Sequence, residues 1–533
     1  MLANKKSLLA VSIAASFALT GCFSDNDNNV TVEPPTPTPP EIVVPDTLVT
    51  EQPSKVFSAN VVDRANSDAL EGATVSFLVD GEAATNLTDV NEEDLSMVTV
   101  DDTGSFTFLS KDGASGEVTA VVSADGYITK SFIVDLSAEV EGDGNDIPVE
   151  FGLVAADTAG LKVETGTATV SGGTTATAVT TEAATGTAKS TVTVPANTVF
   201  QNADGEAVSG SEVTVNVIAA DSSSENAGAI IPEGLNSEST TTVLQPVGVT
   251  SVTMTDDTGA MVKKFSSPIS VSVNLPADSG VTAGDMLDIS SHDETTGTWT
   301  QETNQATVGA ANSDGTYPAT FTTDHLTFFS MNQSVPICTS GVTVKVVSGT
   351  LPARGLAVSM TSPDGSISSY IRSTTKQVIS GASTARFGIS SDAVAKVRLY
   401  DRAGNTWYEQ ENQGICGDVE VSLVGVETID QEVTLNGVCA ADETKTANLS
   451  GSIVTYAKDG KAASLAQALG NSTFKLAGIE AGGNYKVRAT IRGAKVEGGG
   501  QSQVFTFEDV QADSTLTGTV RLECNEVPVT GTN

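Results

Sequence analysis

Short runs in which apolar and polar residues alternate, each closed by a turn signal, recur along this chain from Val56 to Leu522. "ATVSFLV", "GSFTFLS", "EVTAVV", "EVTVNVIA", "PISVSVNL" and "VTVKVVSG" all repeat every second residue, which sends one set of side chains inward and the other into water. Between them stand "DDTGS", "DDTGA", "NADGE" and "NSDGT", in which Asp or Asn caps the turn and glycine accepts positive φ. Helical periodicity is not sustained, and "AASLAQALG", Ala462 to Gly470, is the best short helix candidate. The expected class is all-β, and 533 residues are enough for several β-sandwiches, prealbumin-like or Ig-like, in series. Composition agrees: aromatics make up 5% and charged residues 17%, where about a quarter charged is usual.

The first residues obey a different pattern. Lys5 and Lys6 precede Ser7 to Gly21, an apolar stretch shorter than the roughly 20 residues a membrane-spanning helix needs. A charged front, a short apolar middle and a small-residue end read as a signal peptide over residues 1–21. Leu19-Thr20-Gly21-Cys22 resembles the bacterial lipobox. That resemblance implies that Cys22 is acylated and heads the mature chain, held in a lipid bilayer by two or three chains of the palmitate class. Each buried methylene contributes about 0.8 kcal/mol. Phe23 follows, where Asp would resemble an inner-membrane retention signal, so the expected place is the outer membrane, on its periplasmic or cell-surface face. Residues 22–53 include "VEPPTPTPPEIVVP", a tether expected to be disordered and rich in polyproline II.

A formal charge of −39 repels nucleic acid and anionic headgroups and argues against both as direct partners. Four cysteines remain beside Cys22, and four allow three connectivities. Cys338 with Cys416 and Cys439 with Cys524 is the favoured pairing, because each pair would bracket one domain-sized segment at its first and last strands.

Four segments follow the tether. Residues 54–152 contain "LEGATVSF", "VDDTGSFTF" and "GEVTAVVSADGYITKSFIVDL". This order resembles a carboxypeptidase regulatory-like, or transthyretin-like, domain, with Phe106, Phe108 and Tyr127 expected in its core. Residues 153–333 contain "STVTVPANTVF", "HDETTGTWTQE" and "GTYPATFTTDHLTFFSMN". They are similar to an extracellular domain of cartilage intermediate layer protein and its relatives, on whose pattern Asp293, Glu294, Gly297, Trp299, Tyr317, His325 and Asn332 fall. His292 stands where that pattern has tryptophan. Residues 334–427 and 428–527 each run from a cysteine to a later strand and share Lys-Val-Arg, at Lys396–Arg398 and Lys486–Arg488. "STFKLAGIEAGGNYKVRATI" in the last again resembles the regulatory-like hairpin, and 528–533 is a tail.

The chain has no G-x-S-x-G, H-E-x-x-H, P-loop or C-x-x-C, and its only histidines are His292 and His325. His292, Asp293 and Glu294, with Glu302, carry ligand-type side chains, and paired carboxylates could serve glycoside hydrolysis. The plainer reading is hairpin chemistry, with Asp293 capping a turn and Gly297 at positive φ. His325 is expected to pin a strand end. In "EVEGDGNDIPVE", Glu141, Asp143, Asn145 and Asp146 offer oxygen ligands for Ca²⁺, but without the order of an EF-hand, so a flexible polar linker is the plainer reading. No other cofactor is expected. The function these features favour is a non-catalytic surface lipoprotein, a rod of four sandwiches binding an extracellular or periplasmic protein or glycan. An envelope-anchored carboxylate hydrolase or metal-dependent enzyme and a purely structural spacer are the alternatives.

Overall fold

The computed structural model describes residues 39–44, 51–142, 144–236, 241–498, 503–512 and 516–527. Cys22, most of the tether, Asp143 and the tail lie outside the described residues. The chain forms two units, residues 42–525 and the terminal segments 1–41 with 526–533. Its alternating runs are strands, with one short helix, Glu225–Ala229, among the described residues. Ser224 caps that helix by accepting from the N–H of Asn226.

The first core lies between two sheets. One has the order Asp146–Leu153, Val56–Asp63, Ser105–Ser110, Leu87–Thr88, and the other runs from Glu82–Ala83 through Thr74–Val79 and Glu117–Ser123 to Lys130–Asp135. Phe57 stacks on Phe108 at 4.8 Å and Phe77 reaches Phe108 at 5.1 Å, so inward positions of three strands meet in one aromatic cluster. The second core is enclosed by one 13-stranded sheet. Val215 and Val217 of Glu212–Ala220 share that core with Val192 and Val194 of Ala188–Val194, although these strands are far apart in the sheet order. The sheet must therefore curl over itself, as a twisted sheet of this width does.

The third core packs Thr375–Ile379, Val342–Ser348 and Gly417–Ser422 against Gly365–Ile371, Leu356–Ser362, Val394–Tyr400 and Thr406–Gly414. In the fourth, Thr473–Glu480, Thr428–Cys439 and Leu516–Glu523 face Ile453–Lys458, Asn484–Thr490 and Val504–Gln511. Three of the four cores share one device. Val56–Asp63 pairs in parallel with Asp146–Leu153, Val342–Ser348 with Gly417–Ser422, and Thr428–Cys439 with Leu516–Glu523. In the last two cases a disulfide joins the pair, Cys338 to Cys416 and Cys439 to Cys524, which is the favoured connectivity.

Two expectations are corrected. Residues 462–470 are extended, with Ser464–Leu465 pairing one sheet of the fourth sandwich and Gln467–Gly470 the other. Ala462, Ala463, Leu465 and Ala466 are all buried along this crossing, a consecutive pattern that no one-sided helix could bury. The sandwiches also do not form a rod. Ile128 of the first shares an apolar cluster with Val154, Ile230 and Phe328 of the second, and Val56, Val90 and Leu109 share another with Ile453 and Leu465 of the fourth. The first sandwich is thus a hub, touching the second and the fourth through apolar patches.

Each disulfide closes a loop, with sequence separations of 78 and 85 residues. Replacing Cys338 and Cys416 together by Ser is expected to lower the stability of the third sandwich by about 4–5 kcal/mol in the chain-entropy account. The urea transition of Trp407 fluorescence, followed in a Trp299→Phe background, measures it.

Candidate functional site

The hairpin of strands Met286–Asp293 and Thr298–Val308 carries the residues first suspected of ligand chemistry, and the structure separates them. His292 is fully buried, its ring edge-on to Trp299 at 5.0 Å, and neither ring nitrogen has a hydrogen-bond partner among the described residues. Burial pulls its pKa down to about 4. Asp293 turns outward, where its Oδ1 accepts from the N–H of Thr295 at 2.7 Å. Glu294 accepts from Ser251 at 3.1 Å, and burial raises its pKa. Glu302 instead bridges Ser291, at 2.5 Å, and His325 Nε2, at 3.3 Å, so His325 does tie a strand end. These groups do not converge as metal ligands. On its other side the His325 ring lies 3.2 Å from the hydroxyl of Thr323, and that hydroxyl donates at 3.1 Å to the His325 carbonyl, a local strand-end arrangement.

The turn itself is a dock. Gly297 has φ +68°, and a Cβ there would lie 2.4 Å from Thr119 of the first sandwich. Trp299 donates to the carbonyl of Glu233 at 3.1 Å. The Asp-Glu-Thr-Thr-Gly hairpin is therefore an inter-sandwich contact.

The calcium candidates are engaged elsewhere. Asn145 donates to Gln52 and to the carbonyl of Pro53, and Glu141 pairs with Lys376. Asp146, buried, begins a strand rather than a linker and receives Arg354 at 2.7 Å, Arg372 at 2.6 Å and the hydroxyl of Ser58. Burial alone would raise its pKa, but Arg354, Arg402 and Arg372 outweigh burial and hold it below the ordinary value. Arg402 extends the joint, donating to Ser58 of the first sandwich and, at 2.8 Å, to the carbonyl of Ala463 in the fourth. A second joint is made by Lys130, whose buried ammonium donates at 2.8 Å both to the carbonyl of Ala229 and to Ser366, so that three sandwiches meet at one nitrogen.

Beside these joints lies a cavity of about 400 Å³. Its walls come from three strands that each end a sheet: Lys130–Asp135 and Asp146–Leu153 of the first sandwich and Gly365–Ile371 of the third. Asp135 and Glu139 are exposed at its mouth with Phe387, while Glu150 and Glu233 lie deeper. The hydroxyl of Tyr400 donates to Glu150 Oε1, and the N–H of Ile133 donates to Glu233 Oε2 at 2.8 Å. Burial raises the pKa of both carboxyls and lowers that of Lys130, which lies opposite Glu233. Of these groups sequence reasoning had singled out Glu141, Asn145 and Asp146, and those as calcium ligands rather than as parts of a joint. The available signal was a charged residue inside or beside an apolar alternation, as in "NVVDRAN", "SSYIRST" and "RLYDRAG".

No known protein family matches the sequence, and no curated protein does. Among solved structures, the Bacillus anthracis TIE protein is 8% identical over 78% of this chain, with a TM-score of 0.14, and this chain spans 55% of its length. The major pilin subunit BcpA of Bacillus cereus is 11% identical over 88% of this chain and 99% of its own, also at 0.14. Two B repeat units of the Staphylococcus aureus collagen-binding protein are 10% identical over 88% and 99%, at 0.12. At such scores these likenesses carry no argument.

Two measurements follow from the geometry. The unfolded chain takes a proton on His292 near pH 6.5 and the folded one only near 4. The unfolded state thus binds more protons between these values, and stability falls as pH drops through that window, by about 3 kcal/mol at most. His292→Phe is expected to flatten this dependence in urea titrations taken from neutral pH down to pH 4. Asp146→Ala, which leaves buried guanidiniums opposite no carboxylate at that point, is expected to cost about 3–5 kcal/mol. Hydrogen exchange should then show the first and third sandwiches opening separately.

Proposed function

We propose that this chain is a non-catalytic cell-envelope lipoprotein, anchored to the outer membrane through an acylated Cys22, that presents a rigid cluster of β-sandwiches to an extracellular protein or glycan. The observation that carries the reading is where the chemically capable side chains go. Asp146, Lys130, Arg402 and the Asp293–Gly297 turn all tie one sandwich to another. Side chains fixed in joints hold surfaces in register, which favours recognition over turnover. Binding would then fall to exposed loops and clefts on a scaffold that does not flex.

Intact mass spectrometry of membrane-extracted protein, with and without reduction, tests the anchor. The expected species begins at Cys22 with two or three acyl chains and has four thiols that alkylate only after reduction. An unacylated chain would remove the tether. The binding half is tested by probing the purified protein against arrays of extracellular proteins and glycans and against ester, glycoside and peptide substrates. Saturable binding without turnover is expected. Turnover abolished by Glu302→Gln would overturn the reading.

A further inference from the structure

We infer that the cavity between the first and third sandwiches is a binding site for an organic cation, an ammonium or guanidinium on a short carbon stem. The inference rests on the proposed role as a binding module and names the chemistry that one of its clefts selects.

Size comes first. At about 400 Å³ the space lies at the small end of ligand pockets, suited to one side chain or a small amine. Charge comes second. The basic groups that line it are already engaged: Arg372 by Asp146 and the carbonyl of Glu141, Arg402 by Ser58 and Ala463, and Lys376 by Glu141. The acidic groups retain capacity. Glu150 and Glu233 each have one oxygen engaged, by a neutral hydroxyl and a backbone N–H respectively, and a carboxylate offers about four acceptor sites. Both carboxyls feel basic groups only through space, Glu150 those of Arg402, Arg64 and Arg398 and Glu233 those of Lys130 and Arg64.

The third element is arrangement. Asp135 and Glu139 stand exposed at the mouth and Glu150 and Glu233 within, so carboxyl groups continue from solvent inward, and an entering cation would favour the ionised form of the two that burial holds back. Phe387, 40% exposed at the rim, and Ile367 on the wall give an apolar stem something to lie against. The acidic groups are spread around the wall. Among the described residues no three carboxylates or imidazoles gather as a metal ion requires, whereas an extended organic cation can reach groups on opposite sides. The cavity exists because three end strands meet there without pairing with one another, and a cationic guest entering between them would be sheltered from water, where its attraction to carboxylates is strongest.

Titration calorimetry on the purified full-length chain tests the site with N-acetyl-arginine methylamide, its neutral isostere N-acetyl-citrulline methylamide, and 1,4-diaminobutane. Saturable binding of the arginine probe at one site, with citrulline at least ten-fold weaker, is expected. Tighter binding of the arginine probe than of the diamine identifies a partner's side chain as the source, and the reverse identifies free amines. Glu150→Gln and Glu233→Gln each keep an acceptor for Tyr400 or Ile133 and should weaken binding about ten-fold with an unchanged thermal transition. Should either variant unfold, Glu139→Gln at the exposed mouth and the cavity-filling Ser368→Trp carry the test, the first weakening binding and the second abolishing it. Equal binding of arginine and citrulline, or no heat from either cation at millimolar concentration, would overturn the site. The array experiment is unaffected by that outcome, because binding through other loops would survive it.

Discussion

One buried carboxylate organises this molecule. Asp146 opens the last strand of the first sandwich and is met by guanidiniums from two places in the third, while Ser58 links it to Arg402 and so to the fourth. Removing these charges from water is costly, and ion pairs in such places are often no more stabilising than apolar packing. What the arrangement supplies is geometry. Guanidinium forks accept few orientations, so the sandwiches can meet in one register and not in its neighbours.

Beyond its apolar patches, the first sandwich brings two sheet-edge strands against the third. An open sheet edge invites pairing with other chains, and here the edges of Lys130–Asp135, Asp146–Leu153 and Gly365–Ile371 are turned toward one another. Glu233 completes the shelter, accepting from Ile133 through its carboxylate and donating its own N–H to the carbonyl of Ser131 at 2.9 Å. The cavity is the space left where three edges approach but do not bond. Its acidity reflects a chain with 66 acidic residues and 27 basic ones, whose few arginines are concentrated at joints.

How legible this was depended on the length scale of each interaction. The strand alternations announced themselves locally, and so did the turn at Gly297. The disulfide pairing was legible because cysteines bracket the segments and because first and last strands lie side by side in parallel. The run from Ala462 to Gly470 misled, since alanine and leucine favour helix when nothing else acts, and here two different sheets act on it. The acidic stretch before Ile147 misled for a related reason. Asp and Gly suggest a loop or an ion site until the arginines that neutralise Asp146 are known, and these are more than 200 residues away in sequence.

By itself the sequence determined an all-β chain of successive sandwiches, its turn positions and its cysteine brackets, because period-two burial and turn stereochemistry act over a few residues. Tertiary structure alone decided that the sandwiches cluster around the first, that the suspected ligands at His292 to Glu294 point in separate directions, and that Glu150 and Glu233 share a cavity. Those outcomes depend on apolar faces and charges hundreds of residues apart finding one another, and no local pattern encodes such partners.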